Sequence, residues 1–514
     1  MTTIRLALLA AILVAPALAA ADGVRLRSAD GSVEVAGELL SFDGEFYRIE
    51  TIYGPMTLDA ARVGCEGAAC PDPARFSPEL RLSGPTALGA LLVPALIEGF
   101  AARADQSVER IITDDRHFTY VLTDRATGQP SIRFRFRLAG SDEAFADVLA
   151  GEADVALSAR EARPGEVVLV REAGLGSLDA PGRSRILALD GIVAITGPSN
   201  PVNQITLRDL ARVFSGEISS WAELGGRDMP VALHLAGEET AVTRSFRARV
   251  LDRYGAAPAV EVVRHASLAD LADAVSRDPA AIGITAFSET GSARIMSLAG
   301  PCGYPAVPTV ETLKTEDYPL TSPLFAYLPA RRLPKPARAF LAYVQSPQAD
   351  LIVRRAGFVD QRLETIPLDR QGLRFANAVR EAGDGVGLAD LQAMVDRLAG
   401  AERLTVTFRF EEGSSELDAQ SRSNLPLLGE AIRRGEFSGR SILFAGFSDG
   451  VGDAAQNRRL SERRAEAVRE AVFGGTAPGD VAVEVAGFGE ALPMACDDVA
   501  WGQGINRRVE VWVR

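Results

Sequence analysis

Near the end of the chain stand Gly446-Phe447-Ser448-Asp449-Gly450, Asn457, Leu460-Ser461, Arg464-Ala465 and Asn506-Arg507-Arg508. Asp449 supplies an anion and Arg464 a cation, which together suit the grip of a small zwitterion. Read as a helix, 454–473 carries an apolar stripe at Leu460, Ala467, Val468, Ala471 and Val472. Arg464 lies four residues after Leu460 and four before Val468, so it falls inside that stripe. An arginine on the core side of a helix needs a partner, because an unpaired buried charge is costly. The nearest acid is Asp449, at the end of the strand-like run Ser441-Ile442-Leu443-Phe444-Ala445. Two readings stay open: the two charges pair to hold the fold, or they are offered to a ligand.

Catalytic patterns are few. Gly446-x-Ser448-x-Gly450 matches the nucleophile elbow of hydrolases, but that order of residues needs a histidine after the serine. His117, His234 and His265 all precede it. Glu238 and Glu239 are adjacent, so in a strand they point to opposite faces and make no acid/base couple. No Walker loop, HExxH or CxxC occurs, and the chain reads as a non-enzyme without cofactor. Cys65 and Cys70 are spaced for a local disulfide, whereas Cys302 and Cys496 lie too far apart in sequence for their pairing to be judged. No histidine stands near these cysteines, and no metal site is expected.

The elements that position such residues must come from several domains, since 514 residues exceed a single core. Hydrophobic residues at 47% and charged residues at 24% make the chain globular. A net charge of -13 excludes nucleic acid and anionic membrane surfaces as natural partners. Residues 1–21 read as a secretory signal, with Arg5, the apolar run Leu6 to Val14, and a small-residue cleavage site at Ala17-Leu18-Ala19 or Ala19-Ala20-Ala21. Beyond it no apolar segment reaches membrane-spanning length, so the mature protein is expected in the periplasm, exported and without a transmembrane segment.

The fold class predicted is multidomain, α/β and α+β. Residues 22–75 alternate with period two, with Asp30-Gly31 and Asp43-Gly44 as hairpin signals, and predict a small β domain of about five strands. Residues 80–357 alternate strands with helices and predict an α/β domain with mainly parallel sheets. Residues 358–402 read as a linker containing the helix Leu388 to Leu398, and 403–514 as an α+β domain opening on the half-buried strand Thr405 to Phe410.

The 80–357 stretch resembles the phosphate-type periplasmic substrate-binding proteins of ABC transporters. The resemblance rests on Ser83-Gly84-Pro85-Thr86, Gly151 to Arg160, Asp190 to Ala194, Asn200-Pro201, Phe214-Ser215-Gly216-Glu217 with Trp221, and Gly357-Phe358-Val359. It implies a type II fold of two α/β lobes closing on a ligand. It places Ser83, Thr86, Ser141 and Ser158 at anion-holding positions. The third anion loop departs from the pattern: His234 stands where an arginine would, and Glu238 and Glu239 where Ser-Gly would, with Thr240 retained. Carboxylates beside a dianion repel it, so a cationic or neutral solute, or a protein, suits the cleft better. The alternatives are a true phosphate or oxyanion receptor and a structural envelope protein with an empty cleft.

The terminal unit resembles the OmpA-like peptidoglycan-binding domain, through Asp449, Asn457, Leu460-Ser461, Arg464-Ala465 and Asn506-Arg507-Arg508. The resemblance implies that Asp449 and Arg464 hold the ammonium and carboxylate of diaminopimelate in the cell wall. Asn457 shapes the pocket, and Asn506 and Arg508 complete the implied set. For Arg507 and Arg508 a solvated strand edge is an equal reading.

Overall fold

A computed structural model describes residues 23–72, 76–299, 305–383, 385–411, 414, 416–474, 479–497 and 499–514. The signal segment 1–21 and Cys302 lie outside the described residues. The chain divides into two compact units, one up to Pro78 with Arg332–Arg338, the other from Glu79–Arg331 and Ala339–Arg514.

In the first unit Gly23–Ser28, Glu34–Phe42, Phe46–Thr51, Gly54–Asp59 and Val63–Glu66 form one antiparallel sheet. Alternation turns Val24, Leu26, Tyr47 and Ile49 inward. The runs around Val35 and Leu39 join in a single strand, with a bulge between Leu39 and Ser41. Asp43 makes the tight return that follows by accepting from the amides of Glu45 (2.8 Å) and Phe46 (2.7 Å). Cys65 and Cys70 are disulfide-bonded. Arg332 stacks over the Phe46 ring at 3.9 Å and pairs with Asp43 at 2.9 Å, which explains why its segment belongs to this unit.

The second unit begins with a two-lobed sheet. In one lobe the strand Glu79–Gly84 runs parallel to Pro130–Leu138 and Val155–Ser158. In the other, Ala232–Ala236 runs parallel to Val263–His265 and Ala281–Ala286. The long strand Ser184–Thr196 joins them: residues 184–191 pair antiparallel with Thr321–Tyr327, and residues 192–196 pair antiparallel with Ala281–Ala286. The sheet is therefore mixed, not mainly parallel. In the first lobe Gln106–Ile112, His117–Asp124 and Pro130–Leu138 follow one another as antiparallel neighbours, joined without a helix, and the strands shared between the lobes also run in opposite senses.

The C-terminal sheet has the order Thr365–Ile366, Glu402–Arg409, Arg508–Val513, Ser441–Phe447, Ala482–Gly487. The last two run parallel and are joined by the helix Ala454–Phe473. One face packs on helices through Phe408, Leu428, Phe444, Val468 and Val472. The other face is covered by Leu391, Met394 and Leu398, packed against Leu443, Ala445 and Trp512. Residues 358–402 are thus no spacer: their helix Leu388–Leu398 is the second layer of this domain, because its residues at i, i+3 and i+7 bury a sheet face that would otherwise meet water.

The C-terminal domain also shares a buried seam with the two-lobed domain. Ala419 belongs to the same buried cluster as Leu320 and Phe325. Lys314 bonds Asp360 (3.1 Å) and Glu364 (2.9 Å), and Arg409 donates to the carbonyl of Glu316 (2.8 Å).

Candidate functional site

The corner that carries Asp449 is built by a strand and a helix in backbone contact. A Cβ on Gly446 would lie 1.9 Å from the carbonyl oxygen of Ser461, and one on Gly487 2.5 Å from the amide nitrogen of Glu462. Only glycine permits that approach. Asp453 caps the helix by accepting from the Gln456 amide at 2.9 Å. The buried face of the helix is Asn457, Ser461, Ala465, Val468 and Val472. The stripe read from Leu460, Ala467 and Ala471 is out of phase: Asn457, Ser461 and Ala465 lead the buried face into Val468 and Val472, while Leu460 is half-buried and Ala467 and Ala471 are exposed. Arg464 sits at the border of the buried face and is half-buried.

Arg464 and Asp449 do not pair. Asp449 accepts from Arg507 Nη1 at 2.8 Å, with 14% of each side chain exposed. Its other oxygen accepts from the Val451 amide at 3.3 Å. The Arg464 guanidinium lies 5.1 Å from the centre of the Phe410 ring. Its Nη1 is shielded from solvent and has no hydrogen-bond partner. Burial lowers the Arg464 pKa, and the charge of Arg507 lowers it further, while Asp449 opposes both. The corner therefore holds, among the described residues, one anion with a hydrogen-bonded partner and one cation whose Nη1 has none.

The loop beyond Asp449 is fixed from the far side. Asp497 accepts from the Gly450 amide at 2.7 Å and from Asn506 Nδ2 at 2.9 Å. Asn457 donates to the Val451 carbonyl at 3.2 Å. Burial raises the carboxyls of both Glu490 and Asp497, and nearby Asp449 raises them further. Cys496, next to Asp497, is disulfide-bonded.

Asn506 and Arg508 are both buried, not at a solvated strand edge. Asn506 accepts from the Met494 amide (2.7 Å) and donates to the Ala495 carbonyl (2.8 Å), so it shapes a loop. Arg508 is fully buried, bonds Glu510 at 2.8 Å and Leu492 O at 2.9 Å, and lies 4.4 Å over Phe447. Burial pushes its pKa down to about 10. A charged residue in an amphipathic strand reads as solvent-facing, and only the buried Glu510 two residues on explains its position. Arg507, Phe410, Asp497 and Glu490 are the site residues that sequence reasoning left unassigned. Arg507 lies in the motif itself, but the acids of the preceding loop carry no periodic signal.

In the two-lobed domain the hydroxyls are already engaged. Ser83 Oγ donates to buried Asp147 at 2.5 Å, which Arg137 also contacts. Ser141 Oγ accepts from the Ala159 amide at 3.2 Å, and Ser158 Oγ, buried, donates to Arg160 O at 2.7 Å. Thr240 caps the helix Ala241–Phe246, accepting from the Thr243 amide at 3.3 Å. Thr86 and Glu239 are exposed, and Glu238 pairs with Arg264. His234, which stands where the pattern has an arginine, is buried in the sheet, its Nδ1 2.9 Å from His265 Nε2, with the two rings stacked. A Cβ on Gly140 in the first lobe would lie 2.7 Å from Nη1 of Arg244, which belongs to the second. Among the described residues there is no cluster fit to hold a metal ion, and no helix is long and apolar enough to cross a membrane.

Residues 115–348 match the model of a PBP superfamily domain, and residues 409–507 that of the OmpA family. Protein SphX of Synechococcus elongatus is 25% identical over 43% of this chain and 67% of its own length. Outer membrane porin F of Pseudomonas aeruginosa is 32% identical over 23% of this chain, which spans only 33% of that protein. The peptidoglycan-associated lipoprotein of Pseudomonas putida is 32% identical over 25% of this chain and 75% of its own. Through its C-terminal domain the chain belongs to the OmpA family, and residues 115–348 ahead of that domain match a PBP superfamily domain.

Proposed function

We propose that the protein is a periplasmic, cell-wall-anchored binding protein that acts without catalysis. Its C-terminal domain grips the two-charged end of diaminopimelate in peptidoglycan, and its two-lobed domain holds or senses a solute or partner. The observation that carries the wall reading is Arg464, whose buried Nη1 has no hydrogen-bond partner among the described residues, beside Asp449. The ligand's carboxylate matches the guanidinium through parallel donors, and its ammonium matches Asp449. The peptidoglycan-associated lipoprotein aligned over this domain supports the same reading.

Co-sedimentation with purified sacculi tests it. The wild type pellets, whereas Asp449→Ala and Arg464→Ala variants with unchanged circular dichroism stay in the supernatant. Equal pelleting of all three would end the reading. For the cleft, the internal bonds of Ser83 and Ser158 and the exposed Glu239 argue against a phosphate dianion. Calorimetric titration with inorganic phosphate is expected to show no sub-millimolar binding, and such binding would reassign the cleft to an oxyanion receptor.

A further inference from the structure

We infer that the strand Gln106–Ile112, at one end of the two-lobed sheet, is a docking edge to which an extended segment of another protein adds as one more strand. The segment it fits carries an acid opposite Arg110, a base opposite Glu109 and apolar residues on either side. This edge lies in the first lobe and stands apart from wall binding.

Gln106–Ile112 pairs with His117–Asp124 on one side, and among the described residues no strand lies on the other. The register decides which backbone groups are left over. The Thr113 amide donates to the His117 carbonyl at 2.9 Å, and the Leu138 amide to the Arg116 carbonyl at 2.7 Å. Hydrogen-bonded pairs alternate along an antiparallel ladder, so odd residues of His117–Asp124 bond this strand and even ones bond Pro130–Leu138. Ser107, Glu109 and Ile111 are used by that pairing. Val108, Arg110 and Ile112 turn their N–H and C=O groups outward. Every residue from Ser107 to Ile112 is exposed, with Val108 at 36%, Ile111 at 43% and Ile112 at 67%.

The edges of the other sheets are blunted. Gly54–Asp59 contains Pro55, while Val63–Glu66, Val263–His265 and Thr365–Ile366 are four residues long or fewer. Ala482–Gly487 carries Glu484, paired with Arg397 (2.7 Å) and Arg514 (2.9 Å). Gln106–Ile112 has seven residues with no proline, glycine or bulge. Its arginine is laid back over its own sheet, 4.6 Å from the centre of the Phe118 ring. An edge of that length left open is a template for strand addition.

The charges decide against a second copy as the occupant. In a two-fold antiparallel pairing, outward-turned residues must meet outward-turned residues. The register that overlaps the whole strand then sets Glu109 against Glu109, and the one centred a residue further on sets Arg110 against Arg110. Like charges directly opposed destabilise a ladder. A different segment, with the opposite sign facing each, gains at both positions and covers Val108, Ile111 and Ile112 with its apolar residues.

Three synthetic peptides test the edge by calorimetric titration of the full chain. The first sets glutamate against Arg110 and lysine against Glu109, flanked by valines. The second exchanges those two charges, and the third is the first with the glutamate amide N-methylated, which removes a bond to the edge. The first is expected to bind with sub-millimolar affinity, the second about fivefold more weakly, and the third not at all. Val108→Pro deletes an outward N–H and no bond to the neighbouring strand, so it is expected to fold and to bind the first peptide about tenfold more weakly. The inference is overturned if the first peptide does not bind, or if either of the others binds as well as it does. Sedimentation equilibrium showing a wild-type dimer that Val108→Pro dissolves would also overturn it, by making a second copy the occupant. The peptide series needs only the wild type, so a misfolded Val108→Pro would not rescue it.

Discussion

Arg403 and Asp317 meet through two hydrogen bonds, of 2.6 and 3.0 Å, with 1% and 6% of their side chains exposed. The first belongs to the C-terminal sheet, the second to the two-lobed domain. Behind them Glu510 is shared by Arg374, Arg403 and Arg508. Burial alone would raise the carboxyls of Asp317 and Glu510, but the surrounding arginines outweigh it and hold both below the usual range.

Removing one member leaves the others buried and unmatched. Asp317→Ala is expected to cost about 3–5 kcal/mol in urea denaturation. It also separates the unfolding of the two domains into two transitions. A variant unfolding at the wild-type midpoint in one step would contradict the shared seam.

The same seam sets a response to acid. A carboxylate whose pKa is depressed by folding contributes stability that is complete above its unfolded value, about 4, and lost as pH falls through the folded one. The wild type is therefore expected to lose stability steeply below about pH 4, and Asp317→Asn to show a shallower acid slope. Identical slopes in a pH series of denaturation curves would remove Asp317 as the source.

Arg508 and Asp449 sit close in the motif but do different work. Arg508→Ala leaves Glu510 short of a partner and is expected to lower stability by about 3–5 kcal/mol. Asp449→Ala is expected to leave the melting temperature within a few degrees while abolishing sacculus binding. Thermal melts beside the sedimentation assay check both, and a fully stable Arg508→Ala would place that side chain at the surface.

Met394 is fully buried on the sheet face opposite the Arg464 helix. Met394→Ala is expected to cost about 2–5 kcal/mol, as a core truncation does. A loss near zero would restore 358–402 to the status of a linker.

His234 titrates against its surroundings. Burial and the neighbouring His265 lower its pKa. A histidine depressed by folding gives stability that is present above its unfolded value, near 6.5, and drains away as pH falls below it. His234→Gln is expected to flatten the stability profile below about pH 6.5, read by urea denaturation. An unchanged profile would show that His234 takes up no proton differently on unfolding.

The strand before Asp449 and the helix at 454–473 were legible because their signals are local: the continuous apolar run Ile442 to Ala445, and the helical spacing of Leu460, Val468 and Val472. The phase of that helix was not, since Asn457 and Ser461 face inward only because Gly446 and Gly487 bring the sheet so near. Asp449 and Arg464 were legible as a motif, yet the partner of Asp449 was not, because Arg507 reaches it from the far end of the domain. Arg403 and Asp317 were invisible for the same reason: a buried pair between distant segments leaves no periodic trace. Buried arginines also read as surface residues by type, which misplaced Arg508.

The missing side chains at Gly446 and Gly487 act as a ruler. With main chain pressed on main chain, the gap between the Asp449 and Arg464 charges is fixed by covalent dimensions and hardly depends on which residues decorate the outer helix. Sequence drift over that outer surface leaves the gauge untouched, whereas a single methyl at either glycine would pry the helix away and lift the guanidinium off its aromatic rest.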